Sequence, residues 1–123
     1  MHGNIGKNFV INMREKLYVG SIIPFNISLG KQGNMSMSQY DFVICYYCST
    51  SKVVVVPKDK AIKVDDDNYI FFVDTRLTGA GKLRFAAKAL LPDTRLEDAI
   101  RPDIVDDIDS GFDVVKSVVT NIE

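Results

Sequence analysis

From Lys82 to Leu91 apolar and polar residues alternate: Leu83, Phe85, Ala87, Ala89 and Leu91 fall on one side of an extended chain, Lys82, Arg84 and Lys88 on the other. That pattern predicts a half-buried strand. Leu, Ala, Lys and Arg are also good helix formers, and a helix would gather Leu83, Ala86, Ala87 and Leu90 on one face. Period-two matches outnumber period-3.6 matches, which selects the strand. The apolar run Tyr69-Ile-Phe-Phe-Val73 precedes it, joined through Asp74-Thr-Arg-Leu-Thr-Gly-Ala-Gly81. The two arms are expected to form a central strand pair about a glycine-bearing turn, closed at Pro92-Asp93.

Other stretches carry the same period. Asn8 to Met13 sets Phe9, Ile11 and Met13 on one face and reads as a short first strand. Leu17 to Leu29, interrupted by Gly20 and Pro24, reads as an edge strand or as two short strands with a bend, because proline cannot donate to a ladder. Gly30 to Ser38 is a polar, glycine-punctuated loop or hairpin tip. Tyr40 to Thr50 is rich in aromatic and β-branched residues and suits a strand near the middle of a sheet. Val53 to Val56 disfavours helix, since branching at Cβ crowds the preceding turn, and Pro57 ends it. Lys58 to Val64 predicts a strand with Ile62 and Val64 inward, and Asp65-Asp-Asp-Asn68 a turn. Thr94-Arg-Leu-Glu97 matches a capping box and predicts a short helical turn near residues 94–100, ended by Pro102. The acidic stretch Asp103 to Asp109, with Ile104, Val105 and Ile108, leads through a Ser110-Gly111 turn to a last strand from Phe112 to Ile122.

About seven short strands with little helix imply an all-β fold, an antiparallel β-sandwich or barrel-like domain. Residues 1–123 are expected to make one such domain, with an extended N-terminal arm (1–7) and C-terminal tail (113–123). At 123 residues and 46% hydrophobic content the chain suffices for one ordinary core.

The formal net charge of −1 gives no global field for nucleic acid or an anionic membrane. No run approaches the roughly 18 apolar residues of a membrane span, and the N-terminus lacks the apolar core of a signal peptide. Synthesis and assembly in a cytoplasm are therefore expected. Cys45-Tyr-Tyr-Cys48 has the spacing of a redox or zinc motif, yet residues three apart on a strand face opposite ways and His2 is the only histidine. Packed thiols are the expectation. Thr78-Gly-Ala-Gly-Lys82 lacks the glycine spacing and the hydroxyl of a phosphate-binding loop, and turn chemistry explains it. The acids at 65–67 and 103–109 fit no EF-hand pattern and read as solvated turns. With no Ser-His-Asp or Cys-His arrangement, the expectation is a protein that is not an enzyme and takes no cofactor or metal. Tyr40, Tyr46, Tyr47 and Tyr69 suit a stacking platform or a core. Tyr46 and Tyr47, being adjacent, cannot both face inward on a regular strand, so one is expected at an interface. The candidate interface residues are Tyr46, Tyr47, Pro24 and Pro57, the prolines marking edge strands.

At Val73-Asp-Thr-Arg-Leu-Thr-Gly-Ala-Gly-Lys-Leu83, continuing through Ala89-Leu-Leu-Pro-Asp93 to Arg101 and Ser110-Gly111-Phe112, the chain resembles virion structural proteins of Bacteroides-infecting tailed phages, including crAss-like phages. The likeness covers about the C-terminal 40% of the chain and rests on turn and strand features. It implies a β-rich module of a virion: an auxiliary or decoration capsid protein, or a head-fibre, collar or tail attachment component. The implied partners are major capsid, portal, collar or fibre proteins and further copies in a homo-oligomer, without nucleic acid or membrane. It implies no catalytic residues. The chain's end soon after its last strand is expected to favour a small auxiliary or decoration protein, or a collar or fibre-base component, over a receptor-binding fibre. A carbohydrate-binding module contacting a host surface is the alternative reading.

Overall fold

The structure is a computed structural model in which residues 14–92 and 99–117 are described. Wherever aromatic and β-branched residues concentrate in these ranges, the chain is extended. The strands are β1 (Glu15–Tyr18), β2 (Ile22–Ile27), β3 (Asp41–Tyr47), β4 (Val54–Pro57), β5 (Ile62–Asp65), β6 (Asn68–Asp74), β7 (Gly81–Pro92) and β8 (Ile100–Val115). They build a five-stranded sheet in the order β1-β8-β7-β3-β4 and a three-stranded sheet in the order β2-β6-β5. Pairing is antiparallel except between β1 and β8, which run parallel. The fold is all-β, two facing sheets about one core, as the alternation implies. The expected strand at Asn8–Met13 and helical turn near 94–100 lie outside the described residues, apart from Ala99 and Ile100.

The inward faces supply the core. Phe42 and Ile44 of β3, Leu83, Ala89 and Leu91 of β7 and Val114 of β8 meet Tyr69, Phe71 and Val73 of β6, with Met37 closing one end. Aromatic edges lock the sheets together: Phe25 and Phe85 lie 5.0 Å apart, Phe71 and Phe85 5.5 Å, and Phe42 and Tyr69 5.0 Å, all edge to face. Residues 83–91 are strand, with Leu83, Ala87, Ala89 and Leu91 buried and Lys82 and Lys88 exposed.

The expected pairing of Tyr69–Val73 with residues 82–91 is corrected. β6 is the middle strand of the small sheet and β7 the middle strand of the large one. Between them Thr75–Thr78 forms a single helical turn, α1, and Gly79 (φ 73°) and Gly81 (φ 142°) complete the crossing. Asp74 accepts from the Arg76 amide at 3.0 Å and so caps the turn. Thr75 is fully buried, and its hydroxyl accepts from the Gly20 amide at 2.9 Å and donates to the Ser21 carbonyl at 2.9 Å. The crossover is thereby tied to the bend between β1 and β2.

Three further expectations change. Ile62 and Val64 are exposed, because β5 is the outer strand of the small sheet and packs chiefly on β6. Ser110-Gly111 does not turn the chain: the expected turn and last strand are parts of the single long β8. Residues 113–115 are likewise not tail, since they complete β8 and Val114 is buried between β1 and β7.

Candidate interaction surface

β8 is the most unusual element. Arg84 pairs with Asp109 and Phe85 with Ile108, but Lys82 pairs with Asp113 and Ala87 with Val105, so β8 carries extra residues at two places. These are β-bulges, and each sits at a left-handed backbone: Asp107 at φ 56° and Gly111 at φ 86°. The bulge at Asp107 reverses which residues face inward. Val105 and Ile108, three apart, both lie opposite inward residues of β7, whereas Ile104 lies opposite Lys88 and Ile100 opposite Pro92 on the outer face.

Side chains hold both bulges. Asp107 accepts from the Tyr47 hydroxyl at 3.1 Å and from Arg84 at 2.9 Å. Arg14, just before β1, places two guanidinium nitrogens on Asp109 at 2.8 Å each, a third on Asp113 at 2.7 Å, and donates to the Phe112 carbonyl at 3.0 Å. Asp109 also accepts from the Gly111 amide at 2.9 Å. The guanidinium, with that amide, holds the Asp109 carboxyl well below its ordinary value, and the carboxylates push Arg14 up. Because the sites are solvated, this clamp acts as a positional device more than as a large store of stability.

Upstream of Gly111 the strand carries exposed apolar side chains on both faces: Ile100 and Ile104 outside, Val105 and Ile108 inside. The inner pair borders a groove of about 330 Å³ shared with Ile27, Leu29, Phe71 and Phe85. A row of this kind is an association surface when it has neighbours to meet.

The sequence-derived candidates fall elsewhere. Tyr46 points into the core, its hydroxyl accepting from the Asp74 amide at 3.1 Å. Tyr47 points to the other face, as strand parity demands, but is 7% exposed under its neighbours and bonded to Asp107. Both rings are covered within the chain itself, so neither is presented at its surface as the residue expected at an interface. Pro24 in β2 and Pro57 in β4 are exposed on edge strands, where a missing amide costs no ladder bond. The surface residues that sequence reasoning passed over are Arg14, Ile100 and Ile104. Their signal was present only as a long, acid-studded apolar stretch whose alternation the bulge breaks.

The remaining chemistry is structural. Cys45 and Cys48 are free and half-buried, and burial pushes both thiols up, away from the reactive thiolate. The Asp65–Asn68 turn is internally satisfied, with Asp65 accepting from the Asp67 amide at 2.9 Å and Asp66 paired with Lys63 at 3.1 Å. Among the described residues no group of three or more His, Cys, Asp or Glu side chains is placed to hold a metal ion. None of the described helices is long and apolar enough to cross a membrane. Fold and surface together define a class, a two-sheet β domain with a long bulged strand exposed at one side. Comparison of the chain with protein-family models, curated proteins and solved structures gives no match.

Proposed function

We propose that the protein is a non-enzymatic structural component of a bacteriophage virion, an auxiliary or decoration protein of the capsid or a fibre or collar attachment piece, working through protein–protein contacts. The observation that carries the binding role is the outer face of the β7–β8 ribbon, where Ile100, Pro102 and Ile104 are exposed together with Asp106. The virion setting rests on the resemblance at residues 73–93, 101 and 110–112. Several resemblance landmarks have structural jobs here: Asp74 caps α1, Thr75 pins the crossover and Gly111 makes the bulge. The carbohydrate-binding reading draws no comparable support, because Tyr40, Tyr46, Tyr47 and Tyr69 are all buried.

Stable protein interfaces bury roughly 800 Å² per partner, centred on a few apolar anchors ringed by polar groups. The paired substitution Ile100→Asp/Ile104→Asp should therefore lower incorporation into particles at least about tenfold while leaving the fold intact. Mass spectrometry of purified particles checks both parts. Absence of the wild-type protein from particles, with its presence only in infected-cell cytosol, rejects the virion role; unchanged occupancy of the variant rejects this face as the contact.

A further inference from the structure

The small sheet is apolar on both of its faces. An antiparallel sheet with one face on a core and the other in water alternates apolar and polar residues along each strand, whereas a sheet covered on both sides reads as a nearly continuous apolar run. β2 contains Ile22-Ile-Pro-Phe25 and β6 contains Tyr69-Ile-Phe-Phe-Val73, which is the second pattern. Tyr69, Phe71 and Val73 go to the core. The alternate residues make the opposite face: Pro24 pairs with Phe72 and Ile62 with Ile70, and Ile22 stands at the start of β2. Ile22 and Ile62 are each 53% exposed and Phe72 49%, so this apolar band is open to contact.

We propose that the outer face of the small sheet is the contact between two copies of this chain, packed like on like around a two-fold axis with Phe72 at the centre. Charge supports it. The polar groups at both ends of the band are matched within the chain: Asn26 donates to Asn68 at 3.2 Å and Asn68 to Asp65 at 2.9 Å at one end, and Arg76 pairs with Asp74 at 2.7 Å at the other. Two such faces meet without setting a lone charge against apolar side chains. The outer face of the β7–β8 ribbon is a poorer match, since it would press exposed Lys88 and Asp106 onto Phe72 and Ile62. A two-fold contact also uses one self-complementary patch and closes at the dimer, whereas small sheet on ribbon would continue into an open stack.

Size sets the strength of the pair. With strands about 4.8 Å apart and a rise of about 3.4 Å per residue, three strands as long as the six-residue β2 outline roughly 300 Å² in projection. The accessible area of such a band falls within the roughly 300–600 Å² of the largest patch on a typical monomer, a patch that is often functional. Pairing two of them buries roughly 600–1,200 Å² in total, the range of weak, reversible interfaces. The dimer therefore forms and dissociates at roughly micromolar concentrations, after the cost of joining two molecules is met.

Sedimentation of the purified full-length chain tests the assignment independently of any virion role. Between about 1 and 300 μM the 13.7 kDa monomer should give way to a particle of twice that mass. Phe72→Asp should raise the dissociation constant at least about tenfold while keeping the far-UV circular dichroism of the wild type. Should that variant unfold, Ile62→Asp on the outer strand β5 decides in its place. A wild-type chain that stays monomeric over the whole range overturns the proposal, and so does a dimer that the substitution leaves unchanged. A dimer lost in Ile104→Asp but kept in Phe72→Asp assigns the contact to the ribbon instead. Mass that keeps growing beyond the dimer overturns the two-fold arrangement in favour of an open stack.

Discussion

Replacing Thr75 with valine isolates one hydroxyl on which the crossover depends. Valine has nearly the same volume, so no cavity opens at this fully buried site. What disappears is the acceptor for the Gly20 amide and the donor to the Ser21 carbonyl, each at 2.9 Å. The Ser21 carbonyl keeps a partner, since the Thr75 amide also donates to it at 3.0 Å. The Gly20 amide does not. A lost net hydrogen bond is worth about 1 kcal/mol, and a shielded amide left without a partner adds about 1 more. Gly20 is an exposed residue, so water offsets part of that second contribution and the sum stays near 2 kcal/mol. For a domain of this size that corresponds to roughly 8 °C in Tm. Thr75→Ser keeps the hydroxyl and loses one buried methyl, a cost of about 1 kcal/mol. Urea unfolding followed by far-UV circular dichroism and tyrosine fluorescence gives both values, the sequence having no tryptophan. The reasoning fails if the valine variant lies within about 0.5 kcal/mol of wild type, or if serine proves the more damaging change.

Other substitutions probe the turns, the clamp and the thiols. Gly81 has φ 142°, and a methyl there would sit 3.1 Å from the Cys48 Cβ, so Gly81→Ala should cost about 1–3 kcal/mol in the same unfolding assay. Gly20→Ala, with φ 108° but open space around it, should cost less. Asp109 is held below its ordinary value of 3.8, so the stability it contributes is present above that value and is lost as the pH falls through its depressed folded-state value. Unfolding free energies measured from neutral pH into this acid range should decline less steeply in Asp109→Asn; parallel curves would contradict the clamp. Cys45 and Cys48, pushed up by burial, should react with a chromogenic disulfide reagent at least about tenfold more slowly in the native protein than in denaturant.

Much of the fold was legible because alternation is a local property. The sequence by itself determined that residues 83–91 are strand, that Asp65–Asn68 turns and that Pro24 and Pro57 belong at edges, since steric preference and the period of side-chain direction act within a few residues; it left Leu17–Leu29 as one edge strand or two, and the structure divides it at Gly20 and not at Pro24. It also marked Asp74-Thr75 and the glycines at 79 and 81 as a corner. Whether that corner joins two strands of one sheet or sends the chain across to another is not a local matter. Tertiary packing decided it, through a buried hydroxyl reaching residues more than fifty positions away. Burial was likewise unreadable where parity met an edge: Ile62 and Val64 alternate like core residues but sit on an outer strand, while Tyr47 points away from the core and is covered nonetheless. The candidate surface was hidden most thoroughly. One bulged residue, Asp107 at φ 56°, sends Val105 and Ile108 inward and leaves Ile100 and Ile104 outward. No period in the sequence announces such a shift, because Tyr47, Arg84 and the pairing with β7 hold it in place only once the sheet has formed.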